Sequence, residues 1–430
     1  MKWRWVNMKK VKVIIGANFG DEGKGHMTNY VCSKSENPIV IRFNSGSQAG
    51  HTVIEDNSRH VFGHFGSGTF VGAPTFLSKY FAVNPLTFLK EKSELENKNL
   101  NSVVYVDEEC VITTPYDMLI NQIAETSREE NRHGSCGLGF NETLVRSRNK
   151  KYSLIVKDLI SNSLYNKVYK KESSKESSNV NFLKDVLIKI KKEYVKNRLE
   201  ELNIVDIPEE FKEILNSDIL IDNFLKDMDE FVKSITVKKF SEVINEFETL
   251  IFEGAQGLML HQNYKYFPHV TPSNTGIENV IDLLSDEFEH EEQKKQVDIE
   301  AIYITRSYLT RHGAGPMPGE LKEKPYEKIE DLTNIPNRYQ GNLRFALLNL
   351  DLLKENIDVD FNKSVNSGFK IKKSLGITCL DQIDDKALYI KEKRKLSSEI
   401  DEFINEIMKV IKANKYYLSY GDTKDKISVR

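Results

Sequence analysis

The residues most able to do chemistry lie in a glycine-rich segment, residues 16–25, which follows directly on an apolar run at residues 11–15. A strand that leads into a glycine-rich turn with one lysine, Lys24, is typical of a phosphate-binding loop, because backbone N–H groups and a helix N-terminus can approach phosphate oxygens there. The turn also contains two carboxylates, Asp21 and Glu22. A carboxylate beside phosphates is unfavourable unless it binds a metal ion or moves a proton, so the segment predicts a reaction centre as well as a nucleotide site.

The turn differs from an ordinary P-loop, which has a glycine five residues before its Gly-Lys pair and a Ser or Thr after the lysine. Asn18 and Gly25 occupy those two places here. A second apolar strand, residues 39–42, leads into a loop of small residues that carries a single histidine, His51. Histidine titrates near neutral pH, so it can donate a proton or stabilise a phosphoryl group in transfer.

Taken together, Gly-Asp-Glu-Gly-Lys-Gly at residues 20–25 and Ala-Gly-His-Thr-Val at residues 49–53 resemble the two N-terminal signatures of the adenylosuccinate synthetase family. The resemblance implies an α/β fold similar to P-loop GTP-binding proteins, with a large, mostly parallel central sheet flanked by helices and a helical subdomain. Further segments resemble later family motifs in the expected order, namely residues 252–257, 269–275, 308–316, 376–381 and 418–422.

The resemblance also implies a mechanism that uses GTP to activate a purine nucleotide. Asp21 would remove the proton from N1 of IMP, so that O6 attacks the γ-phosphate, while His51 stabilises the transferring group as a proton donor. Lys24 would hold the phosphates, and Mg²⁺ would be bound by Asp21 and the carbonyl of Gly50. L-Aspartate would then displace the phosphate at C6 and give adenylosuccinate.

The same resemblance implies three sets of contacts. In one of them, Asp381 accepts hydrogen bonds from the ring N–H and the exocyclic amine of guanine. The purine monophosphate is expected to contact Gln48, Ser135, Cys136, Arg146, Gln256 and Thr271. GTP is expected to contact Gly20, Glu22, Gly23, Lys24, Gly25, Gly50, Thr52, Asp381, Ser419 and Gly421. L-Aspartate is expected to contact Arg338 and Arg344.

Several departures from the family pattern leave the substrates open. The phosphate loop is shortened to residues 134–139 and has lost its arginine, and the arginine-rich aspartate loop is reduced to residues 337–341. Gln48 stands at the family's usual asparagine, and Cys379 stands where the guanine element has lysine. Two alternatives therefore remain: the same chemistry on dGMP, as in phage relatives that make N6-succino-2-amino-dAMP, or a GTP-binding homologue without turnover. ATP in place of GTP and an amino acid other than aspartate also stay open.

Composition limits the class of protein. The net charge of −3 in 430 residues gives no sign of nucleic-acid binding. The four cysteines lack Cys-x-x-Cys spacing, which argues against zinc and a disulfide framework and favours reduced thiols in the cytoplasm. No apolar run is long enough for a membrane span, so the expected partners are small molecules and a second copy of the chain. By resemblance, the homodimer shares an arginine across its two-fold axis, here Arg146 or Arg148.

The chain is predicted to be one domain over residues 11–430, with residues 1–10 as an N-terminal extension. Within it, residues 161–247 are rich in lysine and have apolar residues at helical spacing, which predicts a helical subdomain that packs on the sheet. Residues 170–179 are predicted to be a linker. Helices are predicted at residues 86–95, 116–126 and 396–413, and strands at residues 39–42, 81–83, 102–106, 250–252 and 300–304.

Overall fold

The computed structural model describes residues 8–129, 132–162, 177–331, 333–334 and 341–430. The strands, in chain order, are β1 (Lys9–Gly16), β2 (Pro38–Arg42), β3 (His51–Glu55), β4 (Ser58–Phe62), β5 (Thr75–Leu77), β6 (Ala82–Val83), β7 (Val104–Val106), β8 (Val111–Ile112), β9 (Thr236–Val237), β10 (Thr249–Glu253), β11 (Val297–Arg306), β12 (Tyr308–His312), β13 (Glu320–Leu321), β14 (Leu343–Asn349), β15 (Ile371–Thr378), β16 (Ala387–Lys391), β17 (Arg394–Ser398), β18 (Lys415–Ser419) and β19 (Ile427–Val429).

Helices connect and cover these strands. The first five α-helices are α1 (Lys24–Ser33), α2 (Pro85–Glu96), α3 (Pro115–Ser127), α4 (Phe140–Ser147) and α5 (Val156–Asn162). The later α-helices are Ser177–Lys189, Val195–Glu201, Glu209–Asn216, Ile219–Lys233, Phe240–Glu246, Glu278–Glu287, Glu291–Lys294, Leu350–Asn362 and Ile400–Ile411, and a π-helical turn, Ile190–Tyr194, joins the first two of them. Short 3₁₀ turns lie at Ser67–Val71, Leu258–Leu260, Leu380–Gln382 and Lys424–Lys426.

Ten strands form one large sheet in the spatial order β19, β18, β15, β11, β1, β10, β2, β5, β7, β9. Its pairings are parallel except that of β18 with β19. The mostly parallel central sheet predicted from the sequence is therefore confirmed. Because parallel strands end at the same edge, the turns that follow β1, β2, β10 and β11 meet there, as ligand sites in open parallel sheets usually do.

Two large hydrophobic cores support this edge. The first core packs the helices of the C-terminal half against β1, β10 and β11, with Phe252 and Tyr303 fully buried. The second core joins the β3–β4 hairpin and α2 to the helices that follow residue 177, and its largest side chains include Phe62, Phe88 and Phe224. The described part of the lysine-rich segment at residues 177–247 is mostly helical, and it shares this second core with earlier parts of the chain.

Local signals explain the helix starts near the site. The Asn84 side chain accepts from the Thr87 N–H at the start of α2, and a capping box between Thr114 and Asp117 starts α3. Both helices were predicted from the sequence. The helix predicted at residues 396–413 is shorter, because residues 394–398 pair with β16 instead.

The first strand begins at Lys9, inside the predicted extension, while the predicted linker lies largely outside the described residues. Among the helices described, none is both long and apolar enough to cross a membrane.

Candidate active site

Two adjoining cavities lie at the carboxyl edge of the large sheet. Cavity A has a volume of 320 Å³ and cavity B a volume of 360 Å³. Gln48, Gln256, Leu260 and His312 line both, so the two cavities share a wall. Cavity A is lined mainly by the two predicted loops, including Gly20, Asp21, Gly23, Lys24, Gly25, Gly50, His51 and Thr52. Cavity B is lined by parts of both halves of the chain, including Ser135, Cys136 and Thr271.

The glycine turn is organised by one of its own carboxylates. Glu22 is buried, and its Oε1 accepts from the backbone N–H groups of Asn18 at 3.1 Å and Gly20 at 2.8 Å. Its Oε2 lies 2.8 Å from Lys24 Nζ. Glu22 therefore shapes the turn from inside, while Asp21, with a φ of 61°, faces cavity A. The two carboxylates have separate tasks.

The Asp21 carboxyl group is buried, and two cationic side chains lie near it. Burial raises the pKa of its carboxyl group, and the charges of Arg306 and Lys24 partly oppose this rise. Arg306, at the end of β11, donates through Nε to the Asp21 carbonyl at 2.5 Å and through Nη2 to Asp331 at 3.1 Å. A carboxylate with a raised pKa is a stronger base once it is ionised, which suits proton removal.

His51 contacts a buried carboxylate, which in turn lies near a buried arginine. Its Nδ1 lies 2.9 Å from Oε1 of Glu253, the last residue of β10. The other oxygen of Glu253 accepts from the Ser67 N–H at 3.1 Å and lies 3.9 Å from Arg42 Nη1. An ionised carboxylate at Nδ1 favours a proton on that nitrogen, so Nε2 is the ring nitrogen left for a ligand.

The two members of this pair have opposite pKa shifts. Burial lowers the pKa of His51, with Glu253 opposing the shift and Arg42 adding to it. For Glu253, burial favours the neutral acid, but the charge and hydrogen bond of His51 and the charge of Arg42 bring its pKa down to about 2. Glu253 is therefore ionised at neutral pH, and it is the group that most favours a protonated His51.

A segment that sequence reasoning did not single out lies over cavity A. Thr333 and Asn334 line it. The Thr333 hydroxyl lies 2.8 Å from the Thr52 hydroxyl and accepts from Arg59 Nη2 at 2.8 Å. These bonds tie the segment to the β3–β4 hairpin that begins with His51, so the two together form one wall of the cavity.

In cavity B, polar side chains are held by short bonds within the chain. Gln48 donates through Nε2 to the Ser45 hydroxyl at 2.6 Å, and the Ser135 hydroxyl donates to Asn121 Oδ1 at 2.8 Å. Glu125, from α3, accepts from the backbone N–H groups of Gly134 at 2.9 Å and Ser135 at 3.2 Å. The shortened loop is thus pinned to α3 through a carboxylate.

The residues predicted to bind the guanine end lie at neighbouring strand ends of the same sheet. Asp381 follows β15, and Ser419 ends β18, its parallel neighbour. The Ser419 hydroxyl lies 3.0 Å from His26 Nε2 on α1 and donates to the Gly421 carbonyl at 2.9 Å. Burial raises the pKa of Asp381, and the charge of Asp422 adds to the rise.

Comparison with known proteins places this arrangement in a family. The family model described as adenylosuccinate synthetase matches residues 13–340. This chain belongs to the adenylosuccinate synthetase family. Adenylosuccinate synthetase of Clostridium botulinum (strain Eklund 17B / Type B) is 28% identical over 323 residues, which cover 74% of this chain and 68% of that protein. The Borrelia duttonii protein is 27% identical over 314 residues, covering 72% and 65%.

Solved structures show the same fold. Fully ligated adenylosuccinate synthetase from Plasmodium falciparum has a TM-score of 0.70 at 18% identity and covers 98% of this chain and 99% of that one. Cyanophage S-2L succinoaminodeoxyadenylate synthetase (PurZ), bound to dGMP and dATP as an energy donor, has a TM-score of 0.58 at 12% identity and covers 98% and 95%. Both matches extend beyond the residues covered by the family model, so the fold is shared over almost the whole chain.

The structure corrects one predicted contact of this family member. Arg146 is fully buried, with its Nε 2.8 Å from Asp117 and its two terminal nitrogens donating to the carbonyls of Tyr152 and Ile112. It lines neither cavity. The prediction that Arg146 binds the nucleotide or reaches a second subunit is therefore wrong. Arg148, the other candidate, is exposed just after α4.

Of the two arginines predicted to contact L-aspartate, only Arg344 belongs to the part of the chain that the structure describes. Arg338 lies outside the described residues. Arg344 donates through Nη1 to the carbonyls of Gly313 at 3.0 Å and Gly315 at 2.9 Å, and its Nε donates to Glu320 at 2.7 Å. It lines neither cavity, so its contacts support a role in fixing the turn at residues 313–315.

The donor set of cavity A fits a magnesium ion that also binds phosphate. Asp21 and Gly50, which the sequence predicts as metal ligands, both line this cavity. Across the described residues there is no group of three or more His, Cys, Asp or Glu side chains that could hold a metal by itself. Mg²⁺ usually takes one or two carboxylates and completes its shell with water and substrate phosphates, so a single carboxylate with a carbonyl is a suitable partial site.

Proposed function

We propose that this protein is a GTP-dependent ligase that joins L-aspartate to C6 of IMP and gives adenylosuccinate through a 6-phosphoryl intermediate. The observation that carries the proposal is the convergence of Asp21, Lys24 and His51 on cavity A. Cavity B adjoins it across Gln48 and Gln256. A purine in the shared wall region would place its reacting edge in cavity A and its phosphate in cavity B. Membership of the family supports the same chemistry.

The residues of this chain have distinct tasks in the proposed reaction. Asp21, with its raised pKa, removes the proton from N1 and makes O6 the nucleophile. His51 donates through Nε2 to the phosphoryl group in transfer, supported at Nδ1 by Glu253. Lys24 and the N–H groups of the turn hold the phosphates. Positioning and charge account for most of the rate enhancement in such transfers.

Mg²⁺ is the proposed cofactor, held by the Asp21 carboxylate and the Gly50 carbonyl. When bound, it neutralises phosphate charge as the phosphoryl group moves. The donor nucleotide is proposed to be GTP, because Asp381 offers a carboxylate to two adjacent N–H donors of guanine, which adenine lacks in that pattern. L-Aspartate is the proposed amino acid, and its contacts include Arg338.

A second candidate substrate is dGMP. The loop at residues 134–139 is short and lacks the family's arginine, and Gln48 replaces the usual asparagine, so the wall of cavity B differs from the pattern expected for IMP. The deciding experiment supplies GTP, Mg²⁺ and L-aspartate with IMP or dGMP in parallel and follows the product by absorbance. Product from IMP supports the proposal, and product from dGMP alone supports the second candidate. No product from either, with GTP binding intact, would overturn both.

We also propose a homodimer in which Arg148 of one subunit completes the site of the other. Mixing two inactive variants tests this arrangement. Asp21→Ala and Arg148→Ala proteins, each nearly inactive alone, should regain up to about a quarter of the wild-type activity when dimers exchange, because one site of each hybrid then has both native residues. Mixing that restores nothing, although hybrid dimers form, would contradict a shared Arg148.

A further inference from the structure

The loop at residues 134–139 lines cavity B but has no cationic side chain of its own. A phosphate dianion needs positive charge as well as N–H donors, because its desolvation is costly. Among the described residues, three arginines line cavity B, namely Arg128, Arg198 and Arg311. Two carboxylates, Glu125 and Glu142, line it as well, which leaves an excess of one positive charge among these five groups.

Two of the three arginines have both terminal guanidinium nitrogens engaged within the chain. Arg311 is buried, and it donates to the Pro316 carbonyl at 2.5 Å and to the His269 carbonyl at 3.0 Å. Arg198 contacts Glu142 through Nε at 2.7 Å and Nη2 at 3.4 Å, while its Nη1 contacts Glu201 at 2.9 Å. All three guanidinium nitrogens of Arg198 thus have carboxylate partners, whereas Arg311 keeps one nitrogen without a partner among the described residues, its buried Nε.

Arg128 differs from both in its position and its contacts. It follows α3 directly, its side chain is 29% exposed, and its Nη1 lies 2.6 Å from Oε1 of Glu125. The other oxygen of Glu125 accepts from the N–H groups of Gly134 and Ser135. Glu125 therefore holds the guanidinium of Arg128 beside the loop, and it engages only Nη1, which leaves Nε and Nη2 for an anion in cavity B.

We propose that Arg128 binds the 5′-phosphate of the purine monophosphate and supplies, from within the same chain, the positive charge that the shortened loop lacks. The inference rests on the proposed function only in taking a purine monophosphate as the ligand. Arg128 acts beside the loop at residues 134–136, and its planar guanidinium can bind two phosphate oxygens at once.

The test compares a nucleotide with its nucleoside, which differ only in the phosphate. Dissociation constants for IMP and inosine, and for dGMP and deoxyguanosine, are measured by calorimetry on the full-length wild type and on Arg128→Gln. The variant should bind the nucleotides about 10- to 100-fold more weakly, while nucleoside binding stays the same within about twofold. Arg128→Lys keeps the charge without the bidentate fork and should fall between the two.

Arg198→Gln is the matched control, since this arginine lines the same cavity but is engaged with carboxylates. Its ratio of nucleotide to nucleoside affinity should equal that of the wild type. An equal loss of nucleotide and nucleoside binding in Arg128→Gln would show a structural role and overturn the inference, and so would unchanged nucleotide binding. Far-ultraviolet circular dichroism and GTP affinity establish that each variant is folded.

Failure of the proposed function would look different. If the wild type makes no product from IMP or dGMP but prefers a nucleotide over its nucleoside through Arg128, the ligase proposal fails and the inference stands. If product forms and Arg128→Gln leaves the KM for the monophosphate unchanged, the inference fails and the ligase proposal stands. A wild type that binds nucleotide and nucleoside equally well would overturn the inference.

Discussion

Glu253 gives the sharpest test of how the site works, because it is buried and touches the proposed proton donor. Glu253→Gln keeps the size of the side chain and removes its charge. Burial would raise the pKa of Glu253, yet His51 and Arg42 bring it to about 2 from an ordinary 4.5. This difference corresponds to about 3 kcal/mol in favour of the ionised form, and His51 is its largest favourable source.

The same interaction favours a proton on His51, so its loss should lower the pKa of His51 further. A hydrogen bond to a charged group typically contributes about 1.5–3 kcal/mol, which is a factor of roughly 10 to 100 in the protonated fraction. If His51 acts as a protonated donor, Glu253→Gln should lower kcat by up to about 100-fold at neutral pH. The deficit should shrink, by up to about tenfold per pH unit, once the pH falls below the wild-type pKa of His51. Any effect of Asp21 titration cancels in the ratio of variant to wild type.

The free energy of unfolding should also depend on pH through Glu253. The pKa of Glu253 is depressed in the folded protein, so its contribution is fully present above pH 4.5 and is lost as the pH falls toward about 2. The free energy of unfolding of Glu253→Gln at pH 7 should therefore be lower by up to about 3 kcal/mol, measured by urea denaturation.

A matched control is Glu300→Gln on β11, a buried carboxylate that accepts from Lys12, Ser374 and Tyr417 at a distance from both cavities. It should lose stability without changing the pH dependence of kcat. The reasoning would be refuted if the ratio of kcat for Glu253→Gln to wild type is flat across pH, or if kcat at neutral pH is unchanged.

Three further changes probe the turn and the buried arginine. Asp21→Asn should lower kcat by at least about 100-fold while GTP affinity in the absence of Mg²⁺, measured by calorimetry, is retained; loss of both would make Asp21 a structural residue. Arg146→Ala should lower the free energy of unfolding by about 3–5 kcal/mol in urea, since it leaves Asp117 buried without its partner; a change below about 1 kcal/mol would contradict this. Gly257→Ala should weaken GTP binding, because a Cβ there would lie 2.3 Å from the Asn18 carbonyl and displace the turn; unchanged affinity in a fluorescent-GTP assay would count against that geometry.

The centre of the site could be predicted from the sequence because its chemistry is concentrated in short segments. The loop at residues 16–25 and the loop that carries His51 each follow an apolar strand, and parallel strands end at a common edge. β10 lies between β1 and β2 in the sheet, so Glu253 comes to lie against His51 although 202 positions separate them in the numbering. The two loops were enough to predict one site with Asp21, Lys24 and His51, whereas the contact of Glu253 with His51 was not predicted.

Other contacts of the site depend on tertiary packing, which no short sequence pattern predicts. Arg146 and Arg148 are two positions apart, which places them on different faces of the helical turn, and only the packing of α4 on Asp117 shows which one is buried. Ser419 meets His26 across most of the chain, and Thr333 reaches the hairpin from a distant loop. Such pairs arise from tertiary packing, so neither member stands out in the sequence.

Cavity B lies between the two hydrophobic cores. Gln256 and Thr271 come from the side of the first core, whereas Glu125 and Leu202 come from the side of the second. A nucleotide bound there would contact residues on both sides and so link elements of the two cores, which already share the large sheet. Ligand binding should therefore raise the temperature at which the two cores unfold, and calorimetric scans at increasing nucleotide concentration would measure this rise.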